Sequence, residues 1–80
     1  NWNRIWRKAV SNQECELGVW KATHDVRVRM GVSAFTLPRG ASVLVTQIDY
    51  EYNNVLVDAG SRTTDWMPMS WLINNFEFVV

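Results

Sequence analysis

Residues 65–72 read Asp-Trp-Met-Pro-Met-Ser-Trp-Leu, and the predicted fold is organised around this stretch. Pro68 fixes its own φ and has no N–H to donate to a sheet, so we expect it to close a strand. Residues 69–71 are too few for an α-helix but enough for one tight helical turn. The apolar residues 72–73 then resume an extended run. The stretch therefore predicts a strand, a proline, a single turn and a short strand in succession.

The two tryptophans of this stretch have different predicted places. A turn of this kind sets Trp71 beside Pro68 on one surface, where an aromatic ring and a proline form a platform for a ligand. Trp66 lies at the end of the preceding strand, and we expect its ring in the core.

Composition indicates one globular domain. The chain has 80 residues, of which 48% are hydrophobic and ten are aromatic. A chain of this length is one domain of modest stability, and this composition is not that of a disordered segment. No apolar run approaches the length that spans a membrane, and no signal peptide is visible. Residue 1 is Asn rather than Met, so we expect the chain to be part of a longer protein.

Cysteine and histidine usage limits the possible chemistry. Cys15 is the only cysteine, so no internal disulfide can form, and a reducing, cytoplasmic location is favoured. His24 is the only histidine, which makes a transition-metal site unexpected. A nucleophile–base pair would have to use His24, and along a strand His24 and Asp25 point to opposite faces. We therefore expect a protein that is not an enzyme and that holds no metal or cofactor.

Charge is balanced overall but divided between the halves of the chain. Residues 1–40 carry seven basic and three acidic side chains, a net charge of +4. Residues 41–80 carry one basic and five acidic side chains, a net charge of −4. Whole-molecule attraction to nucleic acid is not implied, although a local basic surface remains open.

The order of predicted elements begins with residues 1–10 as a short amphipathic helix. Trp2, Ile5, Trp6 and Ala9 fall at helical spacing on its apolar face. We assign residues 1–16 to an N-terminal arm or linker and residues 17–80 to a barrel.

Residues 17–80 predict strands separated by turns. Val26 and Val28 alternate with Arg27 and Arg29, which places the arginines on one face of a strand. The predicted strands cover residues 17–30, 42–48, 55–58, 62–66 and 76–80, with residues 35–37 leading into a Pro-Arg-Gly turn. Short strands, frequent turns and little helix favour an all-β fold, a small five-stranded barrel with a short N-terminal helix or arm.

Three motifs in this order resemble the Src-homology-3 domain. The family signature Gly-Trp-Phe-Pro-x-Ser/Asn-Tyr-Val aligns with residues 65–72 without a gap, with Trp66, Pro68 and Ser70 matching. Residues 37–40 are similar to the family's Phe-Lys-Lys-Gly turn, and residues 22–26 are similar to its Ala-Leu-Tyr-Asp-Tyr motif. The resemblance covers residues 20–73 and implies an SH3-like barrel.

Departures from the family pattern bear on binding. Family members that bind proline-rich peptides use aromatic ridges and acidic residues. Here His24 and Val26 replace both motif tyrosines, and no tryptophan opens the third strand. The loop that is acidic in the family carries Arg27 and Arg29 instead. The resemblance therefore implies the fold together with a degenerate groove, and it predicts a polypeptide partner that is acidic or neutral rather than an Arg-anchored PxxP segment.

The leading hypothesis is a non-catalytic protein–protein interaction module within a larger protein. Aromatic burial would supply affinity and arginine pairing would supply specificity. The candidate ligand-binding residues are Trp71, Pro68, Tyr50, Tyr52, Arg27, Arg29 and His24.

Three alternatives stay open. The basic N-terminal half could bind nucleic acid through a barrel of this shape. The richness in Trp and Tyr also suits a bacterial-type cell-wall-binding SH3 domain. In the third alternative the role is structural: the barrel is a permanently packed part of its parent chain, and Trp2, Trp6 and residues 76–80 pack against other domains.

Overall fold

The computed structural model describes residues 15–60 and 62–80. The predicted N-terminal helix, residues 1–10, lies outside these described residues. The described residues form seven strands and one helix, in the order β1 (Gly18–Ala22), β2 (Val26–Met30), β3 (Ser33–Leu37), β4 (Ser42–Asp49), β5 (Asn54–Asp58), β6 (Met67–Pro68), α1 (Met69–Asn75) and β7 (Phe76–Phe78). Within residues 15–60 and 62–80, no helix has the length and apolar character needed to cross a membrane.

Five strands form a curled antiparallel sheet in the order β6-β5-β4-β1-β7. The sheet closes into a half-barrel, and the remaining strands, β2 and β3, form a separate two-stranded hairpin. The prediction of a small all-β, barrel-like fold is therefore confirmed. The β4–β5 register shifts between Val45 and Gln47, and such an irregularity helps a sheet to bend.

Alternating side chains build the core as the sequence predicted. Val43 and Val45 of β4 are buried while Leu44 between them is exposed. In β2 the valines are buried and the two arginines are exposed. The buried apolar cluster comprises Cys15, Trp20, Ala22, Val26, Val28, Val43, Val45, Val55, Val57, Met69, Leu72 and Phe76.

Trp20 anchors β1 in this core. Its ring is buried, its Nε1 donates to the Glu16 carbonyl at 2.8 Å, and it meets the Phe78 ring edge-on at 5.5 Å between centroids. The polar end of the indole thus has a partner, as a buried tryptophan requires. Gly18 has φ of 127° and brings its backbone close to the same Phe78 ring, a conformation that favours glycine.

The prediction of one strand-like stretch over residues 17–30 is wrong. The chain forms β1, turns at residues 23–25, and starts β2 in a different sheet. Backbone hydrogen bonds fix this turn, because the Thr23 N–H donates to the Asn75 carbonyl at 2.9 Å. Asp25 Oδ1 also accepts the Arg39 N–H at 2.8 Å.

The predicted return strand over residues 62–66 is also wrong. These residues make only an isolated bridge between Asp58 and Thr63, and the strand that pairs with β5 is β6. The ladder does not continue along these residues because the Val57 N–H donates to the Thr64 side-chain hydroxyl, at 3.2 Å, instead of to a backbone carbonyl. β6 lies at an edge of the sheet, where the missing N–H of Pro68 costs no ladder bond.

The single turn predicted after Pro68 is instead the α-helix α1, which includes the residues expected to be extended. Met69 and Leu72 of α1 are buried and lie three residues apart, so the helix buries one face in the core. The Asn75 side-chain Nδ2 donates to the Trp71 carbonyl at 2.7 Å and supports the last turn. The final strand is correspondingly short, and residues 79–80 lie beyond it.

The core position expected for Trp66 is wrong, because 47% of this residue is exposed. The inner face beside β5 is filled by Met69 and Leu72 from α1, which leaves Trp66 on the connection between β5 and β6.

Candidate functional site

A surface depression of about 510 Å³ lies where the β4–β5 loop meets the start of α1. Its volume is within the range of small-ligand sites. The lining residues are Tyr52, Asn53, Asn54, Pro68, Met69, Ser70 and Ile73. None of them carries a charge.

Local hydrogen bonds shape the loop wall of this depression. Asp49 Oδ1 accepts the N–H groups of Glu51 at 3.0 Å and of Tyr52 at 3.2 Å, the pattern of an Asx turn. Asn53 then adopts φ of 57°, a left-handed conformation that asparagine tolerates better than most residues. The loop that carries the Tyr52 ring is therefore fixed by hydrogen bonds from its backbone to the Asp49 side chain.

The opposite wall is tied to the loop by the backbone. Asn54 pairs with Pro68 in the β5–β6 ladder, and the Met69 N–H donates to the Asn53 carbonyl at 2.8 Å. Because both walls share these bonds, the shape of the depression exists before any ligand binds, which lowers the entropy cost of binding.

Apolar groups stand exposed around this depression. Tyr52 is 70% exposed and Ile73 is 37% exposed, and Pro68 between them is also exposed. The Asn53 and Asn54 amides and the Ser70 hydroxyl supply hydrogen-bond donors and acceptors. The arrangement can bury an apolar group of a ligand and hydrogen bond to its polar neighbours.

Two predicted site residues, Tyr52 and Pro68, lie together in this depression, whereas Trp71 does not. On α1, Ser70 and Ile73 are three residues apart and share the face beside the depression. Trp71 faces elsewhere, is half-buried, and packs against the Phe76 ring at 5.2 Å.

Tyr50 also lies outside the lining of the depression. Its hydroxyl donates to the Cys15 carbonyl at 3.5 Å and so contacts the chain just before β1. The two loop tyrosines, although only two residues apart, therefore have different surroundings.

His24 belongs to a hydrogen-bonded group that joins the β1–β2 turn to the end of α1. Its Nε2 lies 2.7 Å from Asn75 Oδ1, and its Nδ1 lies 3.2 Å from the Thr23 hydroxyl. The Thr23 hydroxyl in turn donates to the Asn75 carbonyl at 3.1 Å. These partners give His24 a role in holding two elements together.

Arg27 and Arg29 lie on the exposed face of β2, as predicted. Across the hairpin they oppose Thr36 and Ala34, so neither faces an acidic side chain in the β2–β3 register. Neither arginine lines the depression. The structure thus separates the predicted platform into an uncharged depression and a basic hairpin face.

Met69, Ser70 and Ile73 are lining residues that the sequence interpretation missed. The spacing of Met69, Leu72 and Phe76 was the available signal, because apolar residues three and four apart indicate a helix. An α-helix at this point places Ser70 and Ile73 on one face, and both line the depression together with Pro68. The loop asparagines 53 and 54 carried no comparable signal.

Groups suited to catalysis or metal binding are sparse in the described part of the chain. Residues 15–60 and 62–80 hold no group of three or more His, Cys, Asp and Glu side chains that could bind a metal ion. Burial raises the pKa of the Cys15 thiol, which favours the neutral, less nucleophilic form.

Comparisons with protein-family models, curated proteins and solved structures found no match to this chain.

Proposed function

We propose that this chain is a non-catalytic, SH3-like interaction module that docks a polypeptide segment in the depression beside Tyr52. The observation that carries the proposal is the exposed Tyr52 ring, held by a hydrogen-bonded loop next to Pro68 and Ile73. An exposed aromatic ring at a preformed concave site is a common anchor for peptides. The curled antiparallel sheet and the motif resemblance support the SH3-like part of the proposal.

The depression favours an uncharged anchor residue in the partner. Its lining has no charged side chain, while Asp49 and Glu51 lie in the loop beside it. A neutral apolar side chain would gain burial there without leaving a charge unpaired. Arg27 and Arg29 lie outside the depression, so pairing with an acidic part of the partner is a second, separable element of the proposal.

A matched pair of tyrosine variants tests the docking site. A peptide selected against the full chain from a random display library is titrated by calorimetry into the wild type, Tyr52→Ala and Tyr50→Ala. We expect Tyr52→Ala to weaken binding at least about tenfold, equivalent to about 1.4 kcal/mol, because the ring is the anchor. Tyr50→Ala should change affinity by less than about twofold, the size of a neutral contact.

Chemical-shift mapping with the same peptide locates the contact. Amide shifts centred on Tyr52, Asn54, Ser70 and Ile73 agree with the proposal. Equal losses in both tyrosine variants, shifts elsewhere on the chain, or a library that yields no binder would contradict it.

Nucleic-acid binding is the second candidate, favoured by the position of Arg27 and Arg29 on one exposed strand face opposite small side chains. Such binding would weaken steeply with added salt, because counterions are released from the phosphates. Titration with short single-stranded DNA and RNA at two salt concentrations, using Arg27→Glu/Arg29→Glu as the control, separates this candidate from peptide docking.

A further inference from the structure

The β2–β3 hairpin is a two-stranded sheet with free edges. In the part of the chain that the structure describes, β2 and β3 pair with each other and with no other strand. A free edge presents unpaired backbone N–H and C=O groups, to which a further strand can hydrogen bond. The residues of β3 are exposed or half-buried along its whole length, whereas Val26 and Val28 of β2 are buried. The free edge of β3 is therefore the more accessible of the two.

The turn of the hairpin determines which backbone groups point out from β3. Residues 31–32 form a two-residue turn, and Gly31 has φ of 62°, as the first central residue of a type II′ turn requires. Ser33 closes this turn in a hydrogen-bonded pair, and bonded and unbonded pairs alternate along an antiparallel ladder. The backbone groups of Ala34 and Thr36 therefore point away from β2, towards the free edge.

Positive charge lies beside this free edge on the exposed face of the hairpin. Arg27 and Arg29 are opposite Thr36 and Ala34, respectively. Because these two residues of β3 have small side chains, the long arginine side chains can extend over β3 to a strand paired beyond it. Residues 26–37 hold the two arginines and no acidic side chain, a net charge of +2. The arginines are roughly 6.7 Å apart along the strand, which is also the spacing of alternate residues in a partner strand.

The opposite face of the hairpin is apolar beside the same edge. Phe35 and Leu37 are half-buried and pack against the core. The Arg62 guanidinium lies 5.3 Å from the centre of the Phe35 ring, which places a third cation next to β3. A strand added at this edge would present alternate side chains to the arginine face and to the apolar face.

We propose that the free edge of β3 binds an extended polypeptide segment in which acidic residues alternate with apolar residues. The backbone of the segment hydrogen bonds to Ala34 and Thr36, and its carboxylates pair with Arg27 and Arg29. Its apolar side chains lie beside Phe35. The proposal rests on the proposed function only in taking the partner to be a polypeptide, because the free edge and the depression share no residue.

Charge and side-chain chemistry favour this occupant over two others. Pairing of the free edge with that of a second copy would bring together two hairpins of net charge +2, and like charges repel. Single-stranded nucleic acid binds where its bases stack on exposed aromatic rings. The one aromatic ring of β2 and β3, that of Phe35, packs against the core instead.

The first experiment separates strand addition from simple charge attraction. A short synthetic peptide that alternates glutamate with valine is titrated by calorimetry into the full chain, beside a peptide of the same composition with its glutamates grouped at one end. We expect the alternating peptide to bind at least about tenfold more tightly, because only its carboxylates share one face of a strand. N-methylation of either the valine or the glutamate amides blocks one edge of the peptide, so one form should lose binding and the other retain it. Equal binding of the two compositions, or equal effects of the two methylations, would overturn the proposal.

Amide hydrogen exchange locates the added strand. In the complex with the alternating peptide, the Ala34 and Thr36 amides should exchange more slowly, while the Phe35 amide, already bonded within the hairpin, should not change. Absence of this alternation would overturn the proposal. Protection of the same two amides in the free chain that grows with protein concentration would assign the edge to a second copy instead.

Charge reversal tests the arginines. Arg27→Glu/Arg29→Glu should weaken binding of the alternating glutamate peptide at least about tenfold and should create binding of the matching lysine peptide. Lys21→Glu, which reverses an exposed charge on β1, should change affinity by less than about twofold. Tyr52→Ala should leave this binding unchanged, so the free edge and the depression are tested separately. Equal losses in Lys21→Glu and the double variant, or binding of single-stranded RNA to the hairpin without binding of the peptide, would overturn the proposal.

Discussion

Replacing Leu72 by alanine removes a side chain that α1 presents to the core with no exposed surface. Returning a buried leucine side chain to water costs about 1.5–3 kcal/mol, and the cavity left beside Val55 and Val57 adds to this. We expect the free energy of unfolding to fall by about 3 kcal/mol, within the range of about 2–5 kcal/mol typical of such changes. In a domain of this size that loss lowers the melting temperature by roughly 12–24 °C.

Two neighbouring substitutions are the controls for Leu72→Ala. Ile73 follows Leu72 on α1 but faces the depression and is 37% exposed, so Ile73→Ala should cost less than about 1.5 kcal/mol. Trp66→Ala should cost less than about 1 kcal/mol, because nearly half of that residue is exposed.

Urea unfolding followed by far-UV circular dichroism measures all three variants, with the slope m showing whether the transition stays two-state. A cost for Ile73→Ala equal to that of Leu72→Ala would refute the orientation of α1. A loss of about 3–5 kcal/mol for Trp66→Ala would place that ring in the core.

Three further substitutions test backbone strain, a buried hydrogen bond and a buried thiol. Gly18→Ala should destabilise by about 1–3 kcal/mol, because φ of 127° disfavours a side chain and the new Cβ would lie 3.2 Å from the Phe78 ring; a native melting curve would contradict this. Thr64→Val should cost about 1–3 kcal/mol by leaving the Val57 N–H unpaired, and hydrogen exchange at that amide should accelerate. Burial raises the pKa of Cys15 above its ordinary value, so the fold favours the protonated thiol. This contribution to stability is present below about pH 9 and is lost as the pH rises through the higher folded pKa. Cys15→Ala should flatten the loss of stability measured by urea unfolding between pH 8 and pH 10, and an unchanged slope would contradict the burial of the thiol.

The candidate site shows where prediction from sequence succeeded and where it failed. Tyr52 and Pro68 were predicted as binding residues and lie together in the depression. Trp71 was predicted as a binding residue beside Pro68, but its ring packs on Phe76 and does not line the depression. His24 was also predicted for binding, yet the structure shows it bonded to Asn75, a residue distant in sequence.

Local periodicity by itself determined the all-β class and the faces of individual strands. The alternation of Val26 and Val28 with Arg27 and Arg29, and of Val43 and Val45 with Leu44, could be read directly because side chains of a strand alternate between two faces. These predictions needed no knowledge of which strands pair.

Tertiary structure alone decided which large side chains fill the core and where the depression forms. Trp20 is buried and Trp66 is exposed, although both are tryptophans in strand-like stretches, because burial depends on which elements converge. β5 receives Met69 and Leu72 from α1 on its inner face, and the backbone bond from Met69 to Asn53 forms the depression. Such contacts join residues that are far apart in the chain, so they cannot be predicted from the pattern of neighbouring residues.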